Sequence, residues 1–75
     1  MKSFDVHLFS YLRERHGAVV TVASEANAGA ILDALAASGI ATEACRLAVD
    51  DEFVIRSYVV ATGASVALIP PVSGG

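Results

Sequence analysis

The chain has 75 residues, of which 55% are hydrophobic and 17% charged, and its formal net charge is −3. That balance is the reverse of the disordered signature, and the length allows one domain, near the lower limit at which a single apolar core holds without staples. With five Lys and Arg against eight Asp and Glu, the chain lacks the cationic surface that nucleic-acid binding rests on, so neither a nucleic acid nor a membrane is expected as a partner.

The per-residue rule gives a net stability of roughly 4 to 11 kcal/mol. Cys45 is the sole cysteine, which excludes an internal disulfide. The opening Met1-Lys2-Ser3 leads into a strand pattern rather than an apolar signal segment, so a cytoplasmic location is expected.

From Lys2 to Phe9 the residues alternate in the strand period. Phe4, Val6 and Leu8 share one face, and Ser3, Asp5, His7 and Phe9 share the other. Ser10 is placed to cap a short helical turn through Tyr11–His16, which Gly17 ends. Ala18–Ala23 carries the β-branched Val19, Val20, Thr21 and Val22 and reads as a second strand, antiparallel to the first.

Asn27 is a cap for the main helix, expected over Ala28–Ser38 and closed by Gly39. Ile31, Leu32 and Leu35 fall at helical spacing to face a sheet, Asp33 points to solvent, and Gly29 weakens the first turn. Ile40–Ala44 reads equally as a turn or as further helix. Arg46–Val49 and Phe53–Ile55 are short strands around the polar turn Asp50-Asp51-Glu52. Tyr58–Ala61 is irregular, with Val59 and Val60 tucked under. Ser65–Ile69 is the last strand, halted by Pro70-Pro71 because proline supplies no ladder N–H. The order predicts an α+β roll, a mixed sheet of about five strands with one main helix across it.

The composition shifts only at the end, in Pro70-Pro71-Val72-Ser73-Gly74-Gly75. Residues 1–75 are expected to form one domain with a flexible tail at about 72–75. Extended, Val72–Gly75 would reach about 13 Å beyond the sheet. Glycine has no Cβ, so Gly74 and Gly75 can thread a channel that side chains would block, and the terminal carboxylate stays open to activation.

Other groups are weaker candidates. Cys45 could act as a nucleophile, but Ala44, Leu47 and Ala48 around it suggest ordinary packing. His7 and His16 have no Cys, Asp or Glu at metal-ligand spacing, so no metal site is expected. Asp50, Asp51 and Glu52 could bind a cation or transfer protons, yet acids at a hairpin tip usually form a solvated turn. Phe9 and Ile69 fall on the outer sheet face, where they could seed a partner patch rimmed by Arg13.

The close Val66-Ala67-Leu68-Ile69-Pro70-Pro71-Val72-Ser73-Gly74-Gly75 resembles the apolar last strand and Pro-Pro-Val-Ser/Thr-Gly-Gly ending of the small sulfur-carrier subunits of molybdopterin synthase, a ubiquitin-like β-grasp family. Weaker matches are the opening strand running through Phe9 into Leu12-Arg13-Glu14, and Leu47-Ala48-Val49-Asp50. The resemblance implies that an E1-like adenylating enzyme uses ATP to activate the Gly75 carboxylate, and that a persulfide donor converts it to a thiocarboxylate. The large catalytic subunit would receive the tail, Val72, Ser73 and Gly74 threading its channel, and sulfur would pass to cyclic pyranopterin monophosphate. By the same resemblance Phe9, Arg13, Phe53, Ile69, Pro70 and Pro71 contact partners, although Phe53 reads equally as core. It also implies a heterotetramer with two carriers at opposite ends of a large-subunit dimer, and no cofactor bound by the carrier itself. Two departures stand out: Asp50 where Asn is common, and Thr62-Gly63-Ala64-Ser65 in place of a more acidic turn. A thiamine-type carrier and a ubiquitin-like protein modifier are the alternatives.

Overall fold

A computed structural model gives the fold, which is described for residues 1–71. The expectations for Val72, Ser73, Gly74 and Gly75 lie outside the described residues. The elements run β1 (Lys2–Leu8), α1 (Ser10–His16), β2 (Val19–Ser24), α2 (Ala28–Ala37), β3 (Arg46–Val49), β4 (Glu52–Phe53) and β5 (Val66–Ile69).

The strands form one five-stranded sheet in the order β2-β1-β5-β3-β4. β1 is antiparallel to β2, with Val6 opposite Val20 and Phe4 opposite Val22. It is parallel to β5, with Val6 opposite Val66 and Leu8 opposite Leu68. β3 closes antiparallel on β5 and on β4. This is the expected α+β arrangement, a β-grasp sheet with α2 packed across one face.

The alternation in β1 works as its sequence predicts, burying Phe4, Val6 and Leu8 while Ser3, Asp5 and His7 stay exposed. Val6, Leu8, Val66 and Leu68 meet Leu12, Ile31, Leu35, Leu47 and Val60 in the core. Each such large apolar side chain contributes about 1.5–3 kcal/mol on full burial. α2 starts on Asn27, whose side chain accepts the Ala30 N–H at 2.8 Å, satisfying one of the unpaired donors of the first turn. Gly29 is explained by its neighbour. Its N–H donates to the Arg56 carbonyl at 2.8 Å, and a Cβ there would stand 3.2 Å from the same oxygen. The residue that weakens the helix in isolation is what lets the later loop dock on it.

Several sequence expectations shift. Ser10 does not cap α1: Phe9 takes that position with extended backbone and no side-chain bond, and Ser10 itself has a φ of 56°. Gly17 does end α1, its N–H donating to the Arg13 carbonyl at 2.9 Å. Ile40–Ala44 is not helical; Ile40 alone of that stretch drops into the core. The strand expected over Phe53–Ile55 stops at Phe53. Val59 is not tucked under: it is 74% exposed, while Val60 is buried, because the Val60 N–H bonds the Ala26 carbonyl and turns alternate side chains outward.

Asp50 and Asp51 have φ of 50° and 69° between the paired Val49 and Glu52. Left-handed backbone at both central residues is what a two-residue hairpin demands, and Asp tolerates it better than most side chains. Asp50 also fastens the turn to the start of β5. Its N–H donates to the Ser65 carbonyl at 2.8 Å, and its Oδ1 accepts the Ser65 N–H at 3.0 Å. The expected outcome of Asp50→Ala is a loss of about 1–2 kcal/mol in urea unfolding. Ala44 has a φ of 63° with no compensating side-chain bond available. Ala44→Gly therefore raises stability by about 1 kcal/mol in the same measurement.

Candidate functional site

α2 covers one sheet face and leaves the other bare. On the bare face, residues two apart on each strand come together. Phe9 at the end of β1, Ala67 and Ile69 on β5, Ala48 on β3 and Phe53 on β4 line a shallow apolar hollow of about 230 Å³, with Asp51 and Ser65 at its rim. Phe9 is 45% exposed and Phe53 56%. Phe53 is therefore a surface residue and not part of the core.

Phe53 is held in place by a neighbour the sequence reading did not single out. The Arg46 guanidinium lies over its ring, 4.7 Å from the centroid, a geometry in which the ring quadrupole attracts the cation. The clue was available in the strand parity: Arg46 and Ala48 alternate with the buried Leu47 and Val49, and Arg46 stands opposite Ile69. Arg13 is exposed on α1 and does not line the hollow. Pro70 is half-buried and Pro71 exposed, so the chain leaves β5 at the edge of this patch, beside Ile69. Patch and tail root are thus contiguous.

The remaining candidates are dispersed. His7 lies on the bare face of β1, and His16 closes α1. Among the described residues no three His, Cys, Asp or Glu side chains come together in a way that could hold a metal ion. The Asp50 carboxylate is engaged with the Ser65 backbone, which makes it part of the hairpin. Cys45 is half-buried, its Sγ 3.4 Å from the Ala41 carbonyl. Burial pushes its thiol up, away from the thiolate that nucleophilic chemistry needs. Among the described residues no helix is long and apolar enough to cross a membrane.

Residues 6–75 match the ThiS family. The chain belongs to that family. Among solved structures, it is similar to SAMP1 from Haloferax volcanii, with a TM-score of 0.73 and 29% identity over 99% of this chain and 100% of that one. It is also similar to a second structure, of H. volcanii small archaeal modifier protein 1, with a TM-score of 0.70 and 26% identity over 93% of this chain and 98% of that one. No curated protein matches. The chain is a ThiS-like β-grasp protein, of the class that contains sulfur carriers and ubiquitin-like modifiers, whose members work with E1-like activating enzymes.

For a ThiS family member with a protonated, half-buried cysteine, sulfur handling should not depend on that thiol. Cys45→Ala is expected to retain full capacity to be charged with sulfur. In the wild-type chain, the iodoacetamide alkylation rate should reach half its maximum at a higher pH than that of free cysteine, about 8.5. The stability counterpart has the same cause. Because the folded thiol holds its proton more tightly, stability falls as pH rises past the unfolded thiol's range and through the folded one.

Proposed function

We propose that this ThiS family member is the sulfur-carrier subunit of a molybdopterin synthase, with the Gly75 carboxylate as its reactive group. The observation that carries the reading is the continuity of β5, Pro70-Pro71 and an exposed apolar patch made by Phe9, Phe53 and Ile69. A carrier needs a partner-facing surface beside an unhindered tail, and it needs no catalytic cluster of its own.

In the first step a Gly75 carboxylate oxygen attacks the α-phosphorus of ATP on the activating enzyme, and pyrophosphate leaves. The acyl adenylate is a far better electrophile than the carboxylate. The terminal sulfur of a donor persulfide then attacks the carbonyl carbon and AMP departs, leaving an acyl disulfide. A thiol of the donor system resolves it, taking the outer sulfur into a protein disulfide and releasing the Gly75 thiocarboxylate. In the large catalytic subunit the thiocarboxylate sulfur displaces an oxygen substituent from a side-chain carbon of cyclic pyranopterin monophosphate, a C–S bond forming as that C–O bond breaks. Water then hydrolyses the resulting thioester, leaving the sulfur on the pterin and regenerating the Gly75 carboxylate. The side chains of the patch hold the chain against each partner in turn. Gly74 leaves the channel clear.

A second reading rests on a specific observation, the 29% identity to SAMP1 across nearly the whole chain. In that reading the acyl adenylate passes to a lysine amine, and the chain becomes a ubiquitin-like protein modifier.

Mass spectrometry of the C-terminal peptide separates the two after incubation with ATP, a persulfide donor and an E1-like enzyme that charges a known carrier. The expected product is the peptide with one oxygen replaced by sulfur, which then restores dithiolene formation with a large subunit. Lysine-linked adducts without that product would establish the modifier reading. Deleting Gly75 should abolish charging and leave the unfolding transition unchanged. Phe9→Ala with Phe53→Ala should weaken large-subunit binding by about tenfold or more in titration calorimetry, with a stability change under about 1 kcal/mol because both rings are already exposed in the free chain.

A further inference from the structure

The two edges of the sheet are built differently. β4 is two residues long and carries Glu52; short, charged strands are how natural sheets discourage pairing at an edge. β2 is six residues long, Val-Val-Thr-Val-Ala-Ser, and pairs with β1 in unbroken register. It has no charge, proline or bulge. The bond from the Leu8 N–H to the Ala18 carbonyl sets the phase of the ladder. Alternation from there turns the N–H and C=O groups of Val20 and Val22 toward β1, and those of Val19, Thr21 and Ala23 outward. These outward groups form an open template of donors and acceptors.

Beside this edge, on the helix side, runs a groove of about 560 Å³ between β2 and α2. Its walls include Val22, Ala30, Ala34 and Ala37, with Glu25 at the Ser24 end. The nearby Asp33 carboxylate is already engaged by Arg56 at 2.9 Å, whereas the Glu25 carboxylate has no partner among the described residues. At the other end of the strand, Arg15 and His16 precede Gly17 and Ala18. The edge therefore has the Glu25 carboxylate at one end, where Met1 also lines the groove, the Arg15 guanidinium at the other, and an apolar stretch between.

A second copy of this chain is a poor occupant. Pairing β2 with β2 about a two-fold axis would set two such grooves side by side, and nothing would fill them, because Val22 of each copy is already buried in its own core. A single extended strand does fill one groove, since every second side chain of an added strand points toward α2.

We propose that β2 is a docking edge for an extended segment of a partner protein, added antiparallel to it, with small apolar residues at alternate positions directed into the α2 groove. Such a segment carries a basic residue beside Glu25 and an acidic one toward Arg15 and His16. Main-chain bonds to Val19, Thr21 and Ala23 supply affinity, and the groove and end charges supply selectivity. The edge is separate from the Phe9, Phe53 and Ile69 patch, so both can be occupied together, and the inference is independent of the chemistry at Gly75.

The test uses the full chain and a synthetic peptide, Lys-Thr-Val-Thr-Val-Thr-Glu, followed by NMR and amide hydrogen exchange. Binding should slow exchange at the Val19, Thr21 and Ala23 amides. Thr21→Pro removes one outward N–H without touching the ladder to β1, and should weaken binding by about tenfold. Thr21→Val loses the 2.7 Å hydroxyl bond to Asp5 but keeps the N–H, and should bind as the wild type does. Ala37→Glu, at an exposed position on the groove wall, should weaken binding by about tenfold or more as well, which keeps the test decisive if the proline variant does not fold. Exchanging the peptide's Lys and Glu should weaken it. Equal binding by Thr21→Pro and Ala37→Glu, peptide shifts confined to Phe9, Phe53 and Ile69, or no shift at millimolar peptide would each overturn the proposal. So would a peptide-free dimer with the same amides protected, which would make the edge an interface between copies.

Discussion

The fold depends on the parallel pairing of its first strand with its last. Val6 stands opposite Val66, His7 opposite Ala67 and Leu8 opposite Leu68, and the inward residues of both strands are almost wholly buried. Parallel neighbours cannot be joined by a tight turn, so β2, α2, β3 and β4 all fall within the connection between them. The pairing is also what places function. It carries β5 through the middle of the sheet and brings Pro70 and Pro71 out beside Phe9 and α1, rather than at a frayed edge. Contacts of such long sequence separation slow folding, because loop closure is paid before the contact rewards it.

The two sheet faces divide the work. One is consumed by α2 and the apolar core. The other is left with a modest apolar hollow, and here the arrangement of Arg46 is informative: stacking on Phe53 restrains an exposed ring without burying it. A free phenylalanine on a two-residue strand would lose side-chain entropy on meeting a partner. Held beneath a guanidinium, it has lost part of that freedom already. The cation–π contact costs little at the surface, where it is worth about 0.5–1 kcal/mol.

What the sequence made legible was whatever depends on neighbours close in the chain. The period-two alternation of Lys2–Leu8, the β-branched run in β2, the Asn27 cap and Gly17 each act within a few residues, and each appears as read. Bounds shifted by a residue or two where an apolar run continued past the last ladder bond, as at Phe53–Ile55. What local sequence could not show has a common cause, a partner far away in sequence. Gly29 is accounted for by Arg56, Val59 is turned outward by the Val60 bond to Ala26, and Asp50 is occupied by Ser65. Ser10 is different: its hydroxyl made it a plausible cap, but the sharp exit from β1 places Phe9 there instead. The candidate patch was half legible, since parity put Phe9 and Ile69 on the outer face, while the decision that Phe53 joins them rests on the β3–β4 register.

The same register separates charge along the strand axis. Arg46 is level with Ile69 at the tail end of the sheet, and α1, which follows β1 at that end, contributes Arg13, Arg15 and His16. Glu14 and Glu43 are the acids nearby. The β3–β4 turn at the opposite end carries Asp50, Asp51 and Glu52, and the β2–α2 connection adds Glu25, against Lys2, the Met1 ammonium and an Arg56 already paired with Asp33. Near the exit of β5, Arg13, Arg15 and Arg46 offset Glu14 and Glu43, so the acidic excess behind the net charge of −3 is concentrated at the far end. Charges arranged in this way orient an approaching molecule over about a Debye length, roughly 8–10 Å at moderate salt. Net charge alone would spread that excess evenly; the distribution instead keeps it away from the patch where β5 ends, an asymmetry that rising ionic strength would erase before it weakened the apolar contacts of the patch.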